Sequence, residues 1–395
     1  MTTLVTFEEA VRVVLERVQP LPAERVELAD ARGRVLAEPV HAAVDLPPFP
    51  ASAMDGYALR AAETPGTFPI VFRIAAGLPA QSALARGEAM AIATGGAVPE
   101  GADAVVPIEV VREEGDVLVV PDAVEAGANV RPRGGDVAAG SEVVPAGVRL
   151  GAAQVGAVGA AGLREVTCAK RPRVAVVTTG SELRPPGSQL GPGEIYESNG
   201  AMLAAQLETA GAEVLTPTVA RDDDDAHREA IERGLVLDVL ITSGGVSVGP
   251  HDLVRRIEGE LGVEEVFWGV AVKPGKPLSF GVRGTTLVFG LPGNPVSSLV
   301  ACAIFVVPAI EALQGAEPGP RFEWGRLAVD ARRDPHRDVF LRSVARPSEQ
   351  GESLEPVQGQ ESHMITRAAG ANALALVRRG EGTLPAGAAV EYLRL

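Results

Sequence analysis

Cysteine and aromatic residues are scarce in this chain. Only two cysteines, Cys168 and Cys302, occur in 395 residues, far apart and flanked by small or apolar neighbours. This excludes a disulfide framework and a zinc cluster, and the expectation is two buried thiols in a reducing compartment. Aromatics make up 4% of the chain, so its apolar mass rests on Ala, Val and Leu. With 45 Gly and 31 Pro, that composition implies many short elements joined by tight turns. Positive charge is also in deficit, giving a formal net charge of −15. General nucleic-acid binding needs a basic face, so no nucleic-acid partner is expected, although a locally basic pocket remains open to a small anion. No basic amino-terminal region leads into a long apolar stretch, and no run reaches the roughly 18 uninterrupted apolar residues of a membrane span. A soluble, cytoplasmic chain without a membrane partner is expected. His41, His227, His251, His336 and His363 are scattered, and H-E-x-x-H, G-x-x-x-x-G-K-[ST] and G-x-G-x-x-G are absent. The zinc-protease, P-loop and dinucleotide templates therefore do not apply.

What is present is a change of texture along the chain. Thr6 to Val18 reads as an amphipathic helix, capped by Thr6 with Glu9 completing a capping box. Residues 34–50 are proline-rich and read as a connector. From about 55 to 145, short apolar runs at 70–75, 90–93, 104–108 and 117–120 alternate with Gly, Pro and Asp, which suggests a small β domain. Leu150 to Gly162 reads as a closely packed helix. From Arg173 strands and helices alternate: strands at 174–178, 214–219, 239–241, 278–282 and 286–289, and helices at 199–210, 225–234, 251–261 and 295–313. This implies a parallel or mixed α/β sheet that binds ligands at the carboxyl edge of its strands. After about Gly315 the short strand-like runs 326–330, 339–344, 373–377 and 390–393 suggest a second β domain.

The chemistry-bearing residues cluster in Gly-rich loops. The run 242–252, T-S-G-G-V-S-V-G-P-H-D, follows an apolar strand and precedes a helix. Its small residues Ser243, Gly244, Gly245 and Ser247 let a phosphate approach the backbone. Asp252 puts a carboxylate at the mouth of that cradle, which calls for a cation between the two anions. The reading is magnesium-assisted chemistry on a phosphorylated molecule. T-T-G-S-E-L at 178–183 places Glu182 after a strand. R-D-D-D-D at 221–225 offers Asp222, with the other carboxylates reading as a solvated helix start. In G-L-P-G-N-P-V-S-S at 290–298, Asn294 suits an N-cap and Pro295 position N1, leaving backbone N–H groups for a ligand. Lys273 and Lys276, stiffened by prolines in K-P-G-K-P, suit an oxyanion. S-A-M-D-G-Y-A at 52–58, T-G-G-A at 94–97 and N-V-R-P-R-G-G-D at 129–136 complete the set; alone, the first reads as an ordinary turn, and the other two are open to a surface-loop reading as well as to a ligand.

In this order and combination, the motifs at 52–58, 178–183, 243–252, 273–277 and 290–297 closely resemble the molybdopterin molybdenumtransferases, the MoeA type also found as the carboxyl-terminal part of gephyrin. The resemblance covers nearly the whole chain. It implies an α/β plus β multidomain fold: a helical, proline-rich connecting domain at 1–46 and 141–168, a β domain at 47–140, the α/β molybdopterin-binding domain at 169–317 and a β-barrel-like domain at 318–395. It implies molybdate insertion into adenylylated molybdopterin with magnesium-dependent release of AMP. By motif match, Asp55, Glu182, Asp222 and Asp252 carry catalysis, the last three as metal ligands. Thr94, Arg131, Ser243, Gly244, Gly245, Ser247, Lys273, Lys276, Pro292 and Pro295 line the substrate site, joined by Arg342 and Ser362 from the terminal domain. It also implies a homodimer with a shared active site in which Asp55 reaches the partner subunit, and dealings with other proteins of molybdenum cofactor biosynthesis. Gly269 departs from members that carry lysine there, and Glu361 from the usual glycine. Two competing readings are a molybdopterin adenylyltransferase or amidase on the same α/β domain, and a non-enzymatic scaffold. The 52–58 motif and the terminal β domain argue against the first, and the intact carboxylates against the second.

Overall fold

The computed structural model describes residues 4–75, 77–221, 223–245 and 253–395. Its centre is a sheet in the order Glu213–Val214, Arg173–Thr179, Val239–Ser243, Thr286–Leu291, Ser279–Arg283, Glu264–Trp268, with Thr218–Ala220 also beside Arg173–Thr179. The pairings from Glu213–Val214 to Thr286–Leu291 are parallel and the last two antiparallel, so the sheet is mixed. Side-chain alternation sorts its two faces. Val174, Val176, Val239, Ile241, Leu287 and Phe289 join one core with the helices Asn199–Thr209 and Pro295–Leu313. Val177, Leu240 and Val288 join another with the helices Asp224–Gly234 and Leu253–Glu260. Burial on both faces explains why these strands read as unbroken apolar runs.

Three local differences from the sequence expectation have physical causes. The run 214–219 is two short strands parted by Pro217, which has no N–H for a ladder. Glu264–Trp268 is a strand whose first two residues are exposed glutamates, which hide its β character. The helix from Pro295 widens into a π turn over Cys302–Val306, where the Val307 N–H donates to the Cys302 carbonyl, immediately before the amide-lacking Pro308. By length and composition Pro295–Leu313 could cross a membrane, yet 78% of it is buried inside the protein.

The C-terminal segment closes on itself. Asp338–Ser348 pairs with Gly351–Pro356, then Glu323–Leu327, Ala389–Arg394 and Ala373–Val377 follow, and the last strand returns to the first. This is a five-stranded barrel. Its strands put Val339, Ala375 and Val377 inside and Phe340, Leu374 and Leu376 outside, onto the α/β core. A sixth strand comes from the α/β unit: Val272 and Lys273 lie parallel to, and in register with, Asp338 and Val339. The amino-terminal helix Phe7–Glu16 wedges into the same seam. Phe7 is 3% exposed and meets the rings of Phe305 and Phe340 edge-on, a burial that contributes about 1.5–3 kcal/mol. Thr6 caps this helix through the Glu9 N–H, but the Glu9 carboxylate turns to Arg12, so only half of the expected capping box forms.

The remaining residues build two further units. Ala23–Glu27 pairs antiparallel with Glu165–Ala169, and Val40–His41 with Glu142–Val144, over a core of Val26, Leu36, Val144, Leu150 and Val158. A six-stranded sheet occupies 56–120, in the order Ala104–Pro107, Gly56–Leu59, Ala89–Ile92, Gly66–Ile74, Val117–Val120, Arg112–Glu114. Arg149 ties the first of these units to the α/β unit by donating to the carbonyls of Gly33 at 2.8 Å and Ala210 at 2.9 Å.

Candidate active site

Three parallel strands end flush. Thr178, Ser243 and Leu291 are neighbours across the ladder, so the loops that follow them emerge side by side at the carboxyl edge of the sheet. The Gly244 N–H donates to the Leu291 carbonyl at 3.2 Å. Gly244 has φ +99, and a Cβ there would stand 2.7 Å from both the carbonyl oxygen and Oγ1 of Thr179. Only glycine permits this approach. Glu182 is exposed, and its carboxylate folds back over Gly180, where a Cβ would lie 2.6 Å from Oε2. Asp222, Ser247 and Asp252 lie outside the described residues. Of the neighbouring acidic run, Asp223 caps its helix through the Ala226 N–H and Asp224 pairs with Arg256, as a solvated helix start should.

Behind the strand ends sits a buried polar network that the sequence reading passed over. Asn199, 8% exposed, donates from Nδ2 to Ser243 Oγ at 3.0 Å and to the Gly293 carbonyl at 2.8 Å. Ser243 and Ser298 both reach the Pro292 carbonyl and stand 3.2 Å apart. Asn199 read locally as a helix start and Ser298 as part of a loop. The polar residue in an otherwise apolar helix face was the available signal.

The lysine loop opens onto a cavity of about 1010 Å³ between the α/β unit and the barrel. Its walls carry Lys273, Lys276, Arg332, Arg333 and Arg337 against Asp330, Asp334 and Glu361. Asp334 is engaged by Arg337, and Asp330 accepts the Ala386 N–H. Arg333 donates to the carbonyls of Arg378 and Arg379. Lys273, Lys276 and Arg332 have no ion pair among the described residues. An acidic chain thus presents a locally basic cleft. Pro292, Ser297 and Ser362 line the same cavity, which places the 290–298 loop at its rim.

Arg342 stands directly behind the 359–362 wall. It is fully buried in a barrel strand, donates from Nη2 to the Gly359 carbonyl at 2.8 Å, and leaves Nε and Nη1 without a hydrogen bond. Burial pulls its pKa below the usual arginine value, and Glu361 opposes that shift. A buried cation with two idle donors is costly unless an anion satisfies it. The terminal segment also intrudes on the helix that begins at Pro295. Asn294 holds the N-cap position without a side-chain cap bond, Pro295 is N1, and the Val296 N–H is taken by the Ser362 carbonyl at 3.1 Å. The amides expected to face a ligand are therefore fewer. Those of Gly293 and Asn294 remain without a partner among the described residues.

Asp55, Thr94 and Arg131 form a separate group. Arg131 pairs in register with Ala51, and the Gly95 N–H donates to the Ser52 carbonyl, so the three turns read as separate loops converge. Asp55 Oδ1 accepts the Thr94 N–H at 2.6 Å and its hydroxyl at 2.8 Å. These bonds hold its pKa below the ordinary aspartate value. Arg133 is spent on Asp45, while Arg131 is exposed and has no ion pair among the described residues. The hydrogen bonds of Asp55 stay within its own unit. Among the described residues no three His, Cys, Asp or Glu side chains gather to hold a metal ion.

Comparison with known proteins covers nearly the whole chain. Residues 5–162 match the family described as the MoeA N-terminal region (domain I and II), residues 175–312 the probable molybdopterin binding domain, and residues 325–395 the MoeA C-terminal region (domain IV). The chain is 40% identical to molybdopterin molybdenumtransferase 2 of Mycobacterium tuberculosis over 325 residues, 78% of this chain and 80% of that one. It is 32% identical to the molybdopterin molybdenumtransferase of Nostoc sp. over 412 residues, 100% of this chain and 94% of that one. Among solved structures it resembles the molybdopterin biosynthesis MoeA protein from Pyrococcus horikoshii, with a TM-score of 0.85, 28% identity and full coverage of both chains.

Proposed function

Since this chain belongs to the MoeA family of molybdopterin molybdenumtransferases, we propose that it inserts molybdate into adenylylated molybdopterin with magnesium-dependent release of AMP. Membership makes it a transferase of molybdenum cofactor biosynthesis. The observation that carries the finer reading is a cleft lined by Lys273 and Lys276, which have no ion pair among the described residues, with the fully buried Arg342 and its two idle nitrogens behind the wall. Two lysines on the wall of the cleft, with the charge of a third cation buried behind it, suit a doubly charged oxyanion such as molybdate. The adjoining strand-edge loops, with their close backbone approach at Gly244 and the open amides of Gly293 and Asn294, suit the pyrophosphate of the nucleotide-linked pterin.

Magnesium fits the donor set. Glu182, Asp222 and Asp252 offer carboxylate oxygens only, the donors a hard cation takes, and magnesium commonly uses one or two carboxylates together with phosphate oxygens. When bound, it neutralises the phosphate oxygens as the phosphoanhydride breaks. The protein's own part is to hold the two anions together against their repulsion. Lys273 and Lys276 fix the molybdate with the charge of Arg342 behind them, Ser362 and Pro292 shape the pocket wall next to Pro295, and Gly244, Gly245, Gly293 and Asn294 bring backbone to the phosphates. The site is completed in a homodimer. Asp55, ionised and bonded to Thr94, sits with Arg131 in a unit of its own, which supports delivery to the partner's strand edge. We assign the reaction to the cytoplasm, a reading that the two buried, unbridged thiols support; other cofactor-biosynthesis proteins would supply the pterin and accept the product.

The test is AMP release from adenylylated molybdopterin, with and without magnesium, comparing molybdate with tungstate. Release that depends on both metal ion and oxyanion is the expected result. Adenylylation of molybdopterin by ATP, without consumption of the adenylylated product, would place the chain one step earlier and overturn the proposal.

A further inference from the structure

The Pro292–Gly293–Asn294 loop is held by its carbonyls. Pro292 O accepts from Ser243 and Ser298, and Gly293 O accepts from Asn199 at 2.8 Å. Both following peptides are trans, since the cis bonds of the chain lie elsewhere. In a planar trans peptide the N–H points opposite to the C=O. With both carbonyls turned into the buried network, the N–H groups of Gly293 and Asn294 are turned out of it. Neither meets a partner among the described residues, and both residues are exposed. Two adjacent, outward N–H groups make an anion-binding concavity, provided the loop cannot rotate.

Asn199 is the residue that prevents rotation. Its two Nδ2 hydrogens go to acceptors on different loops, Ser243 Oγ and Gly293 O. A carbonyl can only accept, so this contact also fixes which end of the amide faces the loops. We infer that Asn199 is a positioning residue: it locks the 243–245 and 291–295 loops together and so aims the Gly293 and Asn294 N–H pair at a phosphate of the nucleotide-linked pterin. Ser298 holds the preceding peptide, Pro292–Gly293, by donating to the Pro292 carbonyl. This rests on the proposed assignment of the strand-edge loops to the pterin nucleotide and of the lysine cleft to molybdate.

The test compares Asn199→Ala with the wild-type protein in the AMP-release assay, varying each substrate in turn. The expected result is a KM for adenylylated molybdopterin raised about tenfold, the equivalent of about 1.4 kcal/mol, with the molybdate KM changed less than about twofold. A general loss of structure would raise both KM values or lower only the active fraction, and a parallel rise overturns the inference, as does an unchanged pterin KM. If Asn199→Ala does not fold, Ser298→Ala decides: it removes one of two bonds to the Pro292 carbonyl, so a smaller selective rise is expected and no selective rise overturns the proposal. Wild-type protein that releases no AMP under any condition defeats the functional reading itself, which separates that failure from this one.

Discussion

Thr94 grips Asp55 twice, through its amide at 2.6 Å and its hydroxyl at 2.8 Å, both on the same carboxylate oxygen. The ionised form is favoured and the pKa lies below the ordinary value. The sign follows from the depressed folded-state pKa. The stabilisation is complete above the unfolded value of about 3.9 and is lost as pH falls through the lower folded value. Thr94→Val keeps the amide bond and removes the hydroxyl bond, so the Asp55 pKa should rise towards the unfolded value. A carboxyl-carbon NMR titration measures it, and an unmoved titration would show that the hydroxyl contributes nothing.

Lys276 lines the cleft with no ion pair among the described residues, so its charge is available to the oxyanion. Lys276→Gln should raise the KM for molybdate at least fivefold, the effect of about 1 kcal/mol of lost Coulomb attraction at contact distance. The dependence of that KM on salt should weaken as well. Steady-state assays at two ionic strengths separate loss of charge from loss of shape, because the latter leaves the salt dependence intact.

Glu182 folds over Gly180 at the end of its strand. With one carboxylate removed, Glu182→Gln should raise the magnesium concentration for half-maximal AMP release about tenfold or more. Asp252→Ala should abolish release while leaving the hydrodynamic size unchanged. Unaltered magnesium dependence in both variants would remove these residues from the metal site.

Gly269 has φ +84, and a Cβ there would stand 2.8 Å from Leu4 Cδ2. The left-handed backbone and this close approach both favour glycine here. Gly269→Lys should cost about 1–2 kcal/mol for the left-handed backbone alone, seen as a lower thermal midpoint. An unchanged midpoint would mean that the local turn relaxes at no cost.

Local chemistry was well marked in the sequence. The strand at 173–179 and those at 239–243 and 286–291 announced themselves because burial on both faces leaves no polar alternation, and the Gly-rich motifs after them lie at the carboxyl edge. What depends on distant partners was not visible. Barrel closure joins 323–327 to 389–394 and 338–348 to 373–377, and no local pattern specifies such pairings. Arg342 in an apolar strand gives no hint that two of its nitrogens lack partners. Asn199 looks like any polar residue opening a helix until the loops it holds are brought beside it. The amides after Pro292 were expected to be free as a group, and the Ser362 carbonyl, far along the chain, takes one of them.

The ladder between Lys273 and Val339 bears on how the chain is made. During vectorial synthesis the basic loop leaves the ribosome well before the strand that must lie beside it. Until that later strand arrives, Lys273 has its charge but not its anchoring partner, and the seam around Phe7 and Phe305 lacks Phe340. A nascent chain arrested before the barrel therefore carries every motif of the strand-edge loops and still lacks the second wall of the cleft. The wall that faces the basic loop is thus among the last parts of the cleft to be made.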